Sequence, residues 1–321
     1  MREVADFLKT LDRVAITTHV GADGDAIGAS AALLRLMRAL GAEAVFCHAE
    51  EVPNYLRWLL PDGSLRELPS GHALLVVDTS RADRAGVPIP EAGAQLNLDH
   101  HEDNPLYAEF NLVNARAAAS AELVAGLYAE LEIPLDRAAA EAIYTGLRTD
   151  TGGFRFRNIS PEVHEMVAGL LRVGVVPAEV DDRINRTGTI QQLKIVGISL
   201  ANAVRYGEVI VSTVENADYE RSGATELDSK EAIDHLRTVA GVDVVAHLRE
   251  VPQGTKGSLR SETVDVGEIA RTFGGGGHRL AAGYTTPRRP KEAKEELLGV
   301  LRGVVDLGDD ADETNEFRSA G

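Results

Sequence analysis

The stretch Arg13-Val-Ala-Ile-Thr-Thr-His-Val-Gly-Ala-Asp-Gly-Asp-Ala-Ile-Gly-Ala-Ser-Ala-Ala-Leu-Leu-Arg-Leu-Met-Arg-Ala-Leu-Gly41 decides how the first half of the chain folds. Its opening, Arg13–Thr17, is a short apolar run that predicts a buried strand. Its close, residues 26–40, predicts a helix that Gly41 stops from the C′ position. His19, Asp23 and Asp25 fall on the turn between the two. The alternation continues. Residues 44–47, 73–77 and 94–98 read as further strands, and residues 119–131 and 136–149 as helices. Strands that alternate with helices give an α/β domain built on a parallel, doubly wound sheet. Such a sheet carries its sites at the carboxyl ends of its strands.

Beyond Asp150, residues 161–173, 177–185 and 189–203 have helical patterns. From residue 208 the pattern changes. Residues 209–214 and 242–247 read as strands with a helix near 229–240 between them, and 287–302 as a last amphipathic helix. The expected organisation is a first domain over 1–185, a connecting helix over 186–204, a smaller α/β domain over 205–303 and an acidic tail over 304–321. The active site is expected in the cleft between the domains. Residues 306–321 carry six acids against one arginine with hardly any large apolar side chains, so no packed structure is expected of the tail.

A net charge of −17 argues against a coat protein that grips long polyanions by counterion release. It does not exclude a small phosphorylated substrate, because a bound divalent metal reverses the local field. The single cysteine, Cys47, excludes an internal disulfide and a thiolate cluster. The polar start does not read as a signal peptide, and no apolar run is long enough to span a bilayer. A soluble, cytoplasmic protein without membrane contact is therefore expected.

Three strand ends carry acids or imidazoles: His19 to Asp25 after the first, Asp78 after the third, and Asp99-His100-His101 after the fourth. A helix ends at Asp150. All but the Asp99-His100-His101 triplet, whose adjacent imidazoles have little structural purpose, have an ordinary structural reading. Asp23 and Asp25 could be acids at a helix start. Asp78 could close a turn, His19 could be a hydrogen-bonded structural histidine, and Asp150 could precede the Gly152-Gly153 turn. One metal site explains all of them together. Uncompensated carboxylates brought close would repel, and divalent metal removes the repulsion. Mixed imidazole and carboxylate ligands suit Mn²⁺, and so many ligands suit two ions sharing a bridge, the device used for phosphoryl hydrolysis. In the second domain Phe273-Gly-Gly-Gly-Gly-His278 could direct backbone N–H groups at an anion or be a slack surface loop. The small residues Ala281, Ala282 and Gly283 favour close backbone packing over slack. Arg260 alone reads as a solvated arginine.

In order, His19…Asp23-Gly-Asp25, Asp78, Asp99-His100-His101 and Thr149-Asp150 resemble the four motifs of DHH phosphoesterases. Gly257-Ser-Leu-Arg-Ser261 and the segment 274–283 resemble the DHH-associated second domain. The branch it resembles is the oligoribonuclease type that also cleaves 3′-phosphoadenosine 5′-phosphate. The resemblance implies one metal on His19, Asp23 and Asp78, and another on Asp25, Asp78, His100 and Asp150. It implies Asp99 as orienter of a histidine and His101 as the catalytic group at the scissile phosphate. Arg260, Ser261, Gly275, Gly276, Gly277 and His278 would bind substrate. Two divalent ions, Mn²⁺ first among them, would be the cofactors. Partners would be short oligonucleotides or dinucleotides and 3′-phosphoadenosine 5′-phosphate, without long duplex nucleic acid, and a homodimer is left open. A dinucleotide phosphodiesterase and a non-catalytic nucleotide sensor are the alternatives, the latter requiring a broken ligand set. One departure is Ala22, where the branch has proline; it changes loop rigidity and no ligand.

Overall fold

The computed structural model describes residues 1–186 and 188–308. The chain divides into two compact units, Met1–Thr187 and Gly188–Gly321. The acidic segment from residue 309 onward lies outside the described residues.

The first unit runs α1 (Arg2–Leu8), β1 (Arg13–Thr17), α2 (Gly24–Ala39), β2 (Glu43–Phe46), β3 (Ala73–Val77), β4 (Leu96–Asp99), β5 (Phe110–Val113), α3 (Ser120–Glu130), α4 (Arg137–Asp150), α5 (Pro161–Val173) and α6 (Pro177–Asn185). Its five strands lie in the order β2-β1-β3-β4-β5, all parallel. Chain order reverses between β1 and β3, and such a switch point opens a crevice at the carboxyl ends. Strand residues alternate between two apolar clusters. Val14, Ile16, Leu75, Val77, Leu96 and Leu98 join the cluster that holds the helices. Ala15, Leu74 and Val76 face Cys47, Val87 and Ala94, which the inter-strand connections supply. The sheet is thus covered on both faces, by helices on one and by connecting chain on the other. The sequence reading missed β5, an edge strand whose four residues are all only half-buried. It also ended β4 one residue early. Asp99 belongs to the strand and pairs with Val113, which places its carboxylate at the sheet edge.

The second unit runs α7 (Ile190–Ala201), β6 (Val204–Tyr206), β7 (Val209–Val214), α8 (Asn216–Ser222), α9 (Ala232–Leu236), β8 (Val244–Val251), β9 (Gly254–Ser261), α10 (Val266–Thr272), β10 (Gly276–His278), β11 (Ala281–Thr286) and α11 (Pro290–Leu301). Its sheet order is β10-β11-β9-β8-β7-β6, antiparallel except for β7 with β8. The helix expected over 229–240 is much shorter. A 3₁₀ turn at Leu227–Ser229 and the five residues of α9 take its place. Ala232, Ile233 and Leu236 bury one turn, whereas Val239 is 39% exposed, and a helix without an apolar face to bury does not propagate. The start of the expected tail is held in place. Val305 and Leu307 pack on the core of this unit, and the Asp306 carbonyl accepts from Glu208 N–H at 2.9 Å.

The glycine run is a tight hairpin. Gly276, Gly277 and His278 pair with Gly283, Ala282 and Ala281, and the N–H groups of Gly274 and Gly275 donate back to α10 carbonyls. A Cβ on Gly275 would sit 2.2 Å from the Gly283 carbonyl oxygen, so glycine is required by close approach. The segment is closely packed and not slack, and the N–H groups of Gly274 and Gly275 are engaged with α10.

Candidate metal centre

Asp23 caps α2, its Oδ1 accepting from the N–H groups of Asp25 and Ala26 at 3.1 Å. The ordinary reading of Asp23 as a cap is therefore correct, and it occupies one oxygen only. Asp25 turns away from its own helix. Its two oxygens accept from Ser120 N–H at 2.6 Å and Ala121 N–H at 3.0 Å, at the amino end of α3. There the helix dipole favours a carboxylate that is wholly buried.

Asp78 follows β3 with φ of 53°. The left-handed region costs a non-glycine residue about 1 kcal/mol and is tolerated best by Asn and Asp. The turn keeps Asp78 N–H on Leu98 O at 2.8 Å. The carboxylate faces His19 Nε2 at 3.6 Å through Oδ2, and His100 Nε2 at 3.6 Å through Oδ1. Ser120 Oγ donates to Oδ1 at 2.8 Å.

Asp150, the last residue of α4, reaches His100 Nε2 at 3.1 Å. What carries α4 this close is a row of glycines. A Cβ on Gly24 would meet Thr149 at 2.3 Å, on Gly28 the Ala142 carbonyl at 2.5 Å, and on Gly146 the Asp25 carboxylate at 2.5 Å.

The imidazoles are set by hydrogen bonds that use their Nδ1 atoms. His19 Nδ1 lies 3.0 Å from Val20 O and His100 Nδ1 3.3 Å from Ala117 O. A backbone carbonyl can only accept, so each Nδ1 carries a proton, and Nε2 is the atom directed at the carboxylates, free to bind a metal once it has lost its own proton. His101 Nδ1 donates to Asp99 Oδ1 at 2.7 Å. The other oxygen of Asp99 accepts from Asn104, which also donates to Asn97 Oδ1 at 2.7 Å.

Three groups of ligand atoms result, each within 4.8 Å of one another: His19, Asp23 and Asp78; Asp25, His100 and Asp150; and Asp78, His100 and His101. All eight residues expected at the first site therefore meet at one sheet edge. Their proton affinities record the crowding. Burial and then the charges of Asp78 and Asp150 push Asp25 well above the usual carboxylate range, and Asp23 upward. Burial opposes a charge on His100, but its hydrogen bond to Asp150 and the charges of Asp25 and Asp78 win and raise it to about 10. Asp78 is lowered: burial acts against that, and His19, His100 and His101 outweigh it. The hydrogen bond to Asp99 raises His101. Without a cation the cluster must hold protons. A divalent ion fits this donor set, since it would replace those protons and meet Nε2 lone pairs already aimed inward.

In the second unit Arg260, on β9, donates from Nη1 to Leu259 O at 2.9 Å, and no carboxylate lies within ion-pair distance among the described residues. Burial and the charges of Arg237 and Arg249 lower its pKa, against Asp234. His278 is exposed. Ser261 is committed elsewhere. Its hydroxyl is buried and donates to Asp243 Oδ1 at 2.7 Å, and it lies on the face of β9 opposite Arg260. Ser258, two residues from Arg260, is the serine on that face. The sequence reading missed Ser120, Asn97 and Asn104; Asn104 stands three residues after Asp99-His-His, the one local signal that could have found it.

Residues 13–147 match the DHH family, N-terminal domain, and residues 207–306 match the DHHA1 domain. The chain is 36% identical to the bifunctional oligoribonuclease and PAP phosphatase NrnA of Thermus thermophilus, over 94% of this chain and 93% of that protein. It is 25% identical to the Bacillus subtilis protein of the same name, over 88% and 91%. An exopolyphosphatase-related protein from Bacteroides fragilis shares the fold, with a TM-score of 0.85 at 22% identity over 94% of this chain and 96% of that one.

Proposed function

From the premise that the chain belongs to the DHH family, we propose that it hydrolyses phosphodiester bonds in short oligonucleotides to nucleoside 5′-monophosphates, and the terminal phosphate of 3′-phosphoadenosine 5′-phosphate. The observation that carries this reading is Asp78, whose two oxygens face two different ligand groups, with His19 on one side and His100 on the other. One divalent ion would be held by His19, Asp23 and Asp78, and a second by Asp25, His100 and Asp150 with Asp78 shared. Mn²⁺ suits the mixed donors. When bound, such a pair lowers the pKa of a water and neutralises charge on the phosphoryl oxygens.

The remaining work belongs to the chain. As a water adds to phosphorus, the bond to the leaving oxygen breaks, and His101 supplies the proton that oxygen needs. His101 suits this role because Asp99 raises its pKa and fixes Nδ1, leaving Nε2–H for the substrate. Asn104 holds Asp99 in turn. Arg260 and His278 would recognise the nucleotide, with the hairpin glycines providing a backbone surface without side chains. Ser261 has no place in this recognition. An unbroken ligand set favours turnover over a silent nucleotide sensor. The same reading assigns a cytoplasmic setting, leaves a homodimer open and excludes long duplexes, which a net charge of −17 would repel. No helix among the described residues is long and apolar enough to cross a membrane.

The test is a product profile with Mn²⁺ over dinucleotides, pentanucleotides, long RNA and 3′-phosphoadenosine 5′-phosphate. Mononucleotides from the short substrates, with a steep fall for the long ones, are expected. Faster release from long strands would overturn the preference for short ones.

A further inference from the structure

Burial along β9 alternates, so Lys256, Ser258 and Arg260 share one partly open face. On the neighbouring strand Arg249 stands opposite Lys256, and His247 opposite Ser258. Arg249 is only 2% exposed; it pairs with Glu226 through Nη1 and donates from Nη2 to Ser258 Oγ at 2.9 Å. Lys256 Nζ lies 3.9 Å from the same Glu226 oxygen, with its side chain 44% exposed. Lys230, which is exposed, closes the 3₁₀ turn that Glu226 opens and so stands beside the same carboxylate's element. Burial lowers its pKa, and Lys256 and Arg249 add to the effect against Glu226. Three cations thus gather around one carboxylate in a chain whose net charge is −17. The Arg249 Nε is buried with no hydrogen-bond partner among the described residues. His247 contributes no charge, being pushed down to about 3 by burial and by Arg249.

We propose that Lys230 and Lys256, backed by the buried Arg249 and its partner Ser258, form a second phosphate subsite, which takes a backbone phosphate of an oligonucleotide whose other phosphate is at Arg260. The inference rests on the oligonucleotide reading above. Lys256 is four residues from Arg260 on one strand, a span of about 13 Å, which is too far for both to hold one phosphate. Between them the adjoining β11 offers Ala281 beside Arg260 and Gly283 beside Ser258. These small residues leave a track along which a sugar–phosphate chain can run. Glu226 is the internal counter-charge, and it leaves positive charge in excess for an incoming phosphate. A 5′-phosphorylated dinucleotide has one phosphate to spare beyond the scissile one and engages Arg260 alone; a 5′-phosphorylated tetranucleotide has three and reaches both ends.

The experiment compares wild type with the double variant Lys230→Gln, Lys256→Gln, both at positions open enough to substitute without unfolding the unit. Binding of 3′-dye-labelled, 5′-phosphorylated, phosphorothioate-linked di- and tetraribonucleotides is measured at equilibrium with Mn²⁺. The tetranucleotide Kd should weaken about tenfold and the dinucleotide Kd stay near wild type, the size expected for losing charge-assisted phosphate contacts. Equal weakening at both lengths, or none at either, would overturn the subsite. Turnover of the ordinary diester is followed in parallel. Wild type that shows this length-dependent binding yet releases no mononucleotide would support the subsite and overturn the hydrolytic reading instead.

Discussion

The carboxyl edge of the first sheet and the partly open face of the second are opposites in charge and in closure. At the first, Asp25, Asp78 and Asp99 are buried, and each carboxylate accepts at least one hydrogen bond from a fixed donor. At the second, Arg260 and Lys256 are only partly covered, and Arg260 has no carboxylate partner within ion-pair distance among the described residues. On the proposed reading, the contrast separates chemistry from recognition within one chain. A crowd of buried acids is stable only with protons or metal and tolerates no misplacement, which suits bond breaking. Loosely held cations on a strand accept a phosphate in many settings, which suits substrates that vary in base and length.

The largest expected break in the comparison is Asp78→Asn. The change is nearly isosteric, and asparagine also tolerates the left-handed backbone, so the fold should survive. Because each ion is worth several kcal/mol in the transition state, kcat for a dinucleotide should fall by about a thousandfold or more. Near-normal turnover in the purified variant would mean that Asp78 is not shared between ions.

Arg260→Ala should act more gently and selectively. Loss of a charge-assisted phosphate contact should lower kcat/KM for a 5′-phosphorylated dinucleotide, whose terminal phosphate is remote from the scissile one, about tenfold to hundredfold. Hydrolysis of bis-p-nitrophenyl phosphate, which lacks a remote phosphate, should stay near wild type. A parallel fall on both substrates would put Arg260 at the scissile group or in the fold.

Smaller still is a thermal effect peculiar to the first region. His100 is raised from its ordinary 6.5 to about 10 in the metal-free fold, so its stabilising proton is fully present below pH 6.5 and is lost as pH rises through 10. Asp25, also raised, works in the same direction. The metal-free Tm should therefore decline across that window, and the gain in Tm on adding Mn²⁺ should widen by a few degrees. A gain that is constant with pH would argue that metal and protons do not compete there. At the bottom of the scale, Ser261→Ala should leave kcat/KM unchanged and cost about 1 kcal/mol of stability, through the Asp243 turn it supports.

The two regions also differed in how far the sequence revealed them. The alternation of apolar runs with helical periods was enough for the first sheet, because buried parallel strands are continuous apolar segments. The site residues were legible because they stand at the ends of those segments. Edge strand β5 was not, since Phe-Asn-Leu-Val has neither an apolar run nor a buried face. Nor was the role of Gly24, Gly28 and Gly146, whose need for smallness arises from a helix far away in sequence. In the second region, the glycine run suggested an anion cradle, whereas its N–H groups at Gly274 and Gly275 serve α10. The two-residue period of strand β9 turns Ser261 to the face opposite Arg260. The same period, applied from Arg260, leads to Ser258 and Lys256.

The most direct test of the metal centre is a Mn²⁺ titration of the metal-free protein, with bound metal per chain and dinucleotide hydrolysis followed in the same samples. The account predicts two ions per chain, mononucleotide release only as the second site fills, and fewer than two ions in Asp78→Asn. Full hydrolysis with a single ion bound, or two ions still held by Asp78→Asn with activity intact, would contradict it.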